Sequence, residues 1–187
     1  MEEEITNKPK QSFTDYIKNN KIKILMIISS IVLAIIIIIA IGEYKKKQNI
    51  KISKKYNQAL ILIEKKNSKE AFKILESIIS TNNIFYSPSA LNLIVDNNLT
   101  EDKKKILSYY DQIISNNKLE SETKNLFIFK KIIFMGDNIE ENELLNNLKP
   151  IINSDSLWKT TISDYIKKYY LSRGEFNKAK EFQIPSN

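Results

Sequence analysis

The side chains with the most chemistry to offer are four carboxylates, Asp137, Glu140, Glu141 and Glu143, and an aromatic set, Trp158, Tyr165, Tyr169 and Tyr170. Clustered carboxylates can hold a divalent cation. Their spacing is not that of a calcium loop, however, and a helix start attracts acids through its dipole. The aromatics suit the wall of a groove that holds a peptide, since aromatic residues are enriched at interfaces. With Ile162 between them, Trp158, Tyr165 and Tyr169 also have the 4-3-4 spacing of a buried helical stripe. Trp158, Tyr165 and Tyr169 therefore form a candidate partner groove, with core packing as the competing reading.

Composition removes most other chemistry. The chain of 187 residues has no histidine and no cysteine, so Ser-His and Cys-His nucleophile systems and the usual zinc sites are excluded. None of its three glycines is followed by Lys-Ser or Lys-Thr, as a phosphate-cradling loop requires. Serine and lysine are so common that no Ser-Lys pair stands out. A single arginine, Arg173, among 29 basic residues is a poor basis for bidentate phosphate reading. The expectation is a protein that is not an enzyme and has no metal, cofactor or small-molecule substrate.

The element that places everything else is residues 24–42, ILMIISSIVLAIIIIIAIG, which carry no charge. At about 1.5 Å per residue they make a helix of roughly 28 Å, close to the ~30 Å hydrocarbon core of a bilayer. Lys21 and Lys23 precede it; Tyr44, Lys45, Lys46 and Lys47 follow, as interfacial anchors. Small residues at Ala40 and Gly42 also fit a cleavage site, but the apolar run exceeds the roughly 7–15 residues of a signal peptide, which favours a retained anchor. Lysines on both flanks balance, so the charge rule for orientation favours neither side. A short tail, one span and a large following domain favour export of the domain.

The net charge of +7 is local. Residues 42–55 hold six lysines against Glu43, whereas the tail and the region beyond residue 55 are each nearly neutral. Lys45, Lys46, Lys47 and Lys51 are thus candidate lipid-surface contacts, each gaining about 1 kcal/mol near anionic lipid. A nearly neutral domain argues against nucleic acid as a partner.

The organisation expected is a cytoplasmic tail at 1–23, a transmembrane helix at 24–42, a Lys-rich juxtamembrane segment at 43–55 and a helical domain at 56–187. Within that domain, apolar residues recur at helical spacing between Asn, Ser and Asp clusters. The first helix runs to about residue 65 and buries Tyr56, Ala59, Leu60 and Ile63. Ser68 is expected to cap a second helix, and Pro88 to stand in the first turn of a third. Thr100 opens a fourth, with Glu101 and Asp102 in its first turn; one of Tyr109 and Tyr110 faces inward and the other lies at the rim. A central helix follows over about 120–135, then a short one ending before Pro150. Ser154-Asp155-Ser156 caps a long helix from Leu157 to Ser172, and the last helix spans about 175–182. The terminal 183–187 are either a loose tail or a cap.

Ala59 and Ala71 are 12 positions apart, and Tyr170, Gly174 and Ala179 place an aromatic, a turn glycine and a small residue where a helical hairpin crosses. These five are candidate repeat-packing residues. The fold class expected is all-α, one N-terminal transmembrane helix followed by a right-handed stack of helical hairpins, a degenerate tetratricopeptide-like array. An irregular helical bundle is the alternative.

The layout resembles a bacterial family, the ancillary subunit of the SecYEG translocon, in its alphaproteobacterial versions. The matching segments are Phe13–Lys23, Tyr56–Ile79, Ser156-Leu157-Trp158, Asn125-Leu126-Phe127 with Leu144-Leu145-x2-Leu148-x-Pro150, and Tyr170 through Ala179. The resemblance implies a single-span protein of the bacterial inner membrane with a periplasmic domain. Its partners would be the translocon and periplasmic chaperones, to which it passes exported proteins, and it would have no catalytic residues. The alternative is a self-assembling structural protein of the envelope without clients.

Overall fold

A computed structural model describes residues 20–136 and 139–182, all of whose regular elements are helices. Most of the tail expected at 1–23, and the terminal 183–187, lie outside the described residues. The chain divides into two compact units, Met1–Lys51 and Ile52–Asn187. The long helix α1, Lys21–Glu64, begins in the first unit.

Among the described helices, α1 is the one long and apolar enough to cross a membrane. In the first unit its apolar side chains are bare: Ile31, Leu33, Ile36 and Ile38 are all more than half exposed. So long a bare apolar surface is compatible with a membrane-spanning segment. Ser30 spends its hydroxyl locally, donating to the Ile27 carbonyl at 2.8 Å, which makes it compatible with hydrocarbon.

The second unit consists of the end of α1 and seven further described helices: α2 Ser68–Ile79, α3 Tyr86–Asp96, α4 Lys103–Ile114, α5 Ser121–Met135, α6 Glu141–Ile152, α7 Lys159–Ser172 and α8 Phe176–Glu181. From α2 onward, each helix packs on the next in sequence. Two apolar clusters result. Ile52 and Ala59 of α1 join Leu75, Ile78, Leu91, Ile94, Tyr110 and Phe127 in one. Phe129 and Ile132 join Leu144, Leu148, Ile162, Ile166, Tyr170 and Ala179 in the other. Helix α5 feeds both, so its apolar residues at successive positions serve two cores; this is why its pattern covers most of its circumference.

The turns follow from a few residues. Helices α1, α3 and α7 end in the same hydrogen-bond arrangement, with Asn67 N–H on Leu62 O, Leu99 N–H on Ile94 O, and Glu175 N–H on Tyr170 O. In each the preceding residue takes a positive φ: Lys66 at 58°, Asn98 at 49° and Gly174 at 74°. The left-handed residue lets the chain reverse while two terminal carbonyls stay bonded. Gly136, φ 75°, closes α5.

Several local expectations are corrected. Asn67, not Ser68, caps α2, its side chain accepting from Glu70 N–H at 3.4 Å. Asp102 is the cap of α4 rather than a first-turn residue, because its carboxylate accepts from Lys105 N–H at 3.0 Å, while Thr100 takes the Asp102 N–H. Helix α6 does not stop before Pro150 but carries it in its last turn. There the missing proline N–H forgoes a single helical bond, while continuing the helix buries Ile151 in the second core. Tyr109 and Tyr110 are both buried, because Tyr109 finds a polar partner on another helix.

Candidate functional site

The first turns of α5, the last turns of α6 and the 154–156 turn before α7 surround a cleft of about 530 Å³. Its floor is apolar, from Ile128, Pro150 and Ile151, and its walls are polar, with Asn125, Asn146 and Asn147 supplying amides. Glu122 holds the parts together. One carboxylate oxygen, Oε2, accepts from the Ser156 hydroxyl at 2.9 Å and from Leu157 N–H at 3.0 Å. Its backbone carbonyl accepts from the Trp158 indole N–H at 3.1 Å. Asn125 Nδ2 adds a donor to Ser156 Oγ at 3.2 Å. A cleft wall fixed by four bonds to one short turn can receive a ligand without first being ordered.

This clamp replaces the cap expected at Ser154-Asp155-Ser156. The N–H groups of the two residues just before α7 are met by Ser156 Oγ, which accepts from Trp158 N–H at 3.2 Å, and by Glu122 of another helix, which accepts from Leu157 N–H. Helix α7 accordingly begins at Lys159, and Trp158 precedes it instead of opening its stripe. Nothing in the sequence around Glu122 marks this role, because its partners lie more than 30 residues away.

The three candidate groove aromatics are not brought together as a free surface. Trp158 is half-buried against Glu122, and Tyr165 packs edge-on against Phe129 with ring centroids 5.4 Å apart. Tyr169 is buried and donates its hydroxyl to the Ile139 carbonyl at 3.1 Å. Trp158 touches a residue that lines the cleft, Glu122.

Two further polar clusters bolt alternate helices. Glu76 of α2 receives the Tyr109 hydroxyl and the Lys105 ammonium of α4, each at 2.6 Å. The hydrogen bond from Lys105, then that from Tyr109, holds the Glu76 carboxyl below its usual range. Burial, reinforced by Glu76, pushes the Tyr109 phenol up. Glu141 of α6 plays the same part for Tyr170 of α7 and Lys178 of α8, at 2.9 and 2.8 Å. It too is lowered, first by Lys178 and then by Tyr170, and burial raises Tyr170. These carboxylates are engaged by a cation and a phenol, so they brace the fold. Glu141 thus leaves the expected acidic cluster, whose Asp137 lies outside the described residues. Among the described residues no group of acids is gathered for a metal.

Of the repeat-packing candidates, Ala59, Ala71, Tyr170 and Ala179 are buried, the first two without exposure, and Gly174 occupies the positive-φ turn after α7. Ala59 lies in the first core; Tyr170 and Ala179 meet in the second. The lysines of α1 separate into faces. Lys47 and Lys51 share one with Tyr44 and Gln48, whose amide donates to the tyrosine oxygen at 3.0 Å. Lys45 and Lys46 point elsewhere around the helix, and Lys46 approaches Glu43 at 3.9 Å.

No known protein family, curated protein or solved structure matches this chain. A smaller recess of about 300 Å³ lies among α3, α4 and α5, beside the half-exposed Ile133, but Lys130 already spans it to Asn92 at 2.8 Å. The cleft at Glu122 is larger and is lined by amides that have bonding capacity left.

Proposed function

We propose that this chain is a membrane-anchored interaction protein, whose second unit takes up segments of other proteins in the cleft beside Glu122. The main support is the cleft itself: an apolar floor, amide-bearing walls and a turn locked by Glu122, in a chain that also has a bare apolar span. Asparagine side chains offer a donor and an acceptor together, which is what an extended main chain needs along its length. Tethering keeps such a domain concentrated near other membrane components.

The domain is read as a degenerate array of helical hairpins. Positive-φ stops at Lys66, Asn98, Gly136 and Gly174 recur every 32 to 38 residues, close to the hairpin repeat length of about 34, and a further one, Asn82, divides the first interval between α2 and α3. Side chains also link alternate helices, α2 to α4 through Glu76 and α6 to α8 through Glu141, as expected of stacked hairpins. The layout's resemblance to the translocon's ancillary subunit supports a place of work: the bacterial inner membrane, with the domain on the periplasmic side, handing exported proteins to folding factors.

The test is site-specific photocrosslinking in cells that carry the full chain. A photoreactive residue at Asn146, on the cleft wall, is expected to give adducts with newly exported proteins or translocon subunits, and one at the exposed Asp164 is not. Equal or absent adducts at the two positions would rule the cleft out as the binding surface. Adducts only with a second copy of the chain would point to self-assembly instead.

A further inference from the structure

We infer that the segment held in the cleft beside Glu122 is an extended polypeptide carrying a lysine side chain, whose ammonium is met by Asp155. This rests on the proposed function and names its ligand class. The first ground is charge. Among the residues lining the cleft, Glu122 and Asp155 are the titratable ones, and both are acidic, in a chain whose basic residues outnumber its acids. Glu122 is committed through Oε2 to Ser156 and Leu157, which makes it part of the wall. Asp155 is exposed and makes no ion pair or hydrogen bond among the described residues. A carboxylate on the rim of a recess, with no cation lining that recess, complements a cation from outside.

The second ground is the set of groups beside it. Asn147 donates from Nδ2 to the Glu143 carbonyl at 2.8 Å, which leaves its Oδ1 as an acceptor. Pro150 has no amide hydrogen to return to the carbonyl of Asn146, four residues earlier, and both residues line the cleft. Two acceptors therefore belong to residues that line the same cleft as an unengaged carboxylate. An acidic segment would set its carboxylates against Asp155, whereas an extended chain offers N–H groups at regular spacing to the amide oxygen and carbonyl, and a lysine adds three donors for the carboxylate. Pro150 and Ile151 beneath them suit the side chain's methylene stem. A free amine would engage Asp155 but lacks the row of N–H groups that an extended chain carries along the cleft, which is why a polypeptide is the ligand assigned.

The test is a fluorescence-anisotropy titration of the full chain in micelles at low salt. The probes are a labelled nonapeptide of serine, asparagine and one central lysine, the same peptide with acetyl-lysine, and lysine amide as an unlabelled competitor. The lysine peptide is expected to bind about fivefold more tightly than its acetylated form, a preference that shrinks as salt rises. Asp155→Asn is expected to abolish the preference, and the control Asp164→Asn to leave it intact. The inference is overturned if both peptides bind equally, if Asp155→Asn keeps the preference, or if lysine amide competes as well as the whole peptide. Failure of both peptides to bind would overturn the underlying reading of the cleft as well.

Discussion

Removing the Glu122 side chain is the sharpest single perturbation of this architecture. Glu122→Ala deletes two bonds made by one oxygen, to the Ser156 hydroxyl at 2.9 Å and to Leu157 N–H at 3.0 Å. Hydrogen bonds to a charged group contribute about 1.5–3 kcal/mol when the partner cannot turn to water. Ser156 is only 7% exposed, so its bond should count at the lower end of that range. Leu157 lies in an exposed turn, where water replaces the carboxylate and the loss is nearer to about 0.5 kcal/mol. The total is about 2 kcal/mol, or a fall in Tm of roughly 6–10 °C for a domain of this size. The single tryptophan, Trp158, donates to the Glu122 carbonyl and so reports on the same turn. Its emission should shift to the red as the turn before α7 loosens, well below the melting transition. Glu122→Gln, which keeps an acceptor oxygen, should show about half of both effects. An unchanged emission with a Tm within about 2 °C of wild type would refute the clamping of the cleft wall by Glu122.

Other consequences follow from the same geometry. Glu76 and Glu141 are lowered by their lysine and tyrosine partners, so the stability they add is present above the unfolded value of about 4.3 and is lost as pH falls through the folded values. The urea midpoint should therefore drop on acidification, and less steeply in Glu76→Gln. Tyr110, pushed up to about 12 by burial and by Asp96, contributes stability below the unfolded value of about 10 that is lost through pH 12. Absorbance titration should show it ionising well after the exposed tyrosines, and Tyr110→Phe should lower the amplitude of that late phase, to which Tyr109 and Tyr170 also contribute. Gly174→Ala meets no atom within 4 Å but forces a side chain onto φ +74°, so it should cost about 1 kcal/mol of stability in denaturant melts with no change in far-UV dichroism. Replacing Lys47 and Lys51 together with Gln should reduce retained anionic phospholipid by native mass spectrometry, more than the pair Lys45 and Lys46, since Lys46 already faces Glu43.

What the sequence made legible follows the range of the interactions involved. The apolar run at 24–42 and the helices beyond it depend on local patterning, and the stripe Ile106, Tyr110 and Ile113 of α4 is buried as its spacing required. Caps were displaced by a residue or two where neighbouring Asn, Ser, Thr and Asp compete for one turn. Asn67 outdid Ser68, and Asp102 outdid Thr100, because only one of each pair reaches the third amide of the helix. Pro150 misled because its cost is small in a last turn that still buries Ile151. The cleft was not legible at all. It joins α5, α6 and the turn before α7, and its clamp pairs Glu122 with residues 34 to 36 positions away. Trp158 drew notice as an aromatic, but its indole N–H is committed to that clamp, and Tyr165 and Tyr169 are taken up by Phe129 and the Ile139 carbonyl.

If the apolar part of α1 anchors the chain in a membrane and the cleft-bearing unit is exported, the absence of native cysteine allows both to be read in one experiment. Leu157, 83% exposed in the turn before α7, can be replaced by Cys in the full chain, and intact cells treated with a membrane-impermeant maleimide. Labelling is expected without lysis, with the labelled chain retained in carbonate-washed membranes. Labelling that requires lysis would place the unit in the cytoplasm and contradict export, and release by carbonate would contradict the anchor itself.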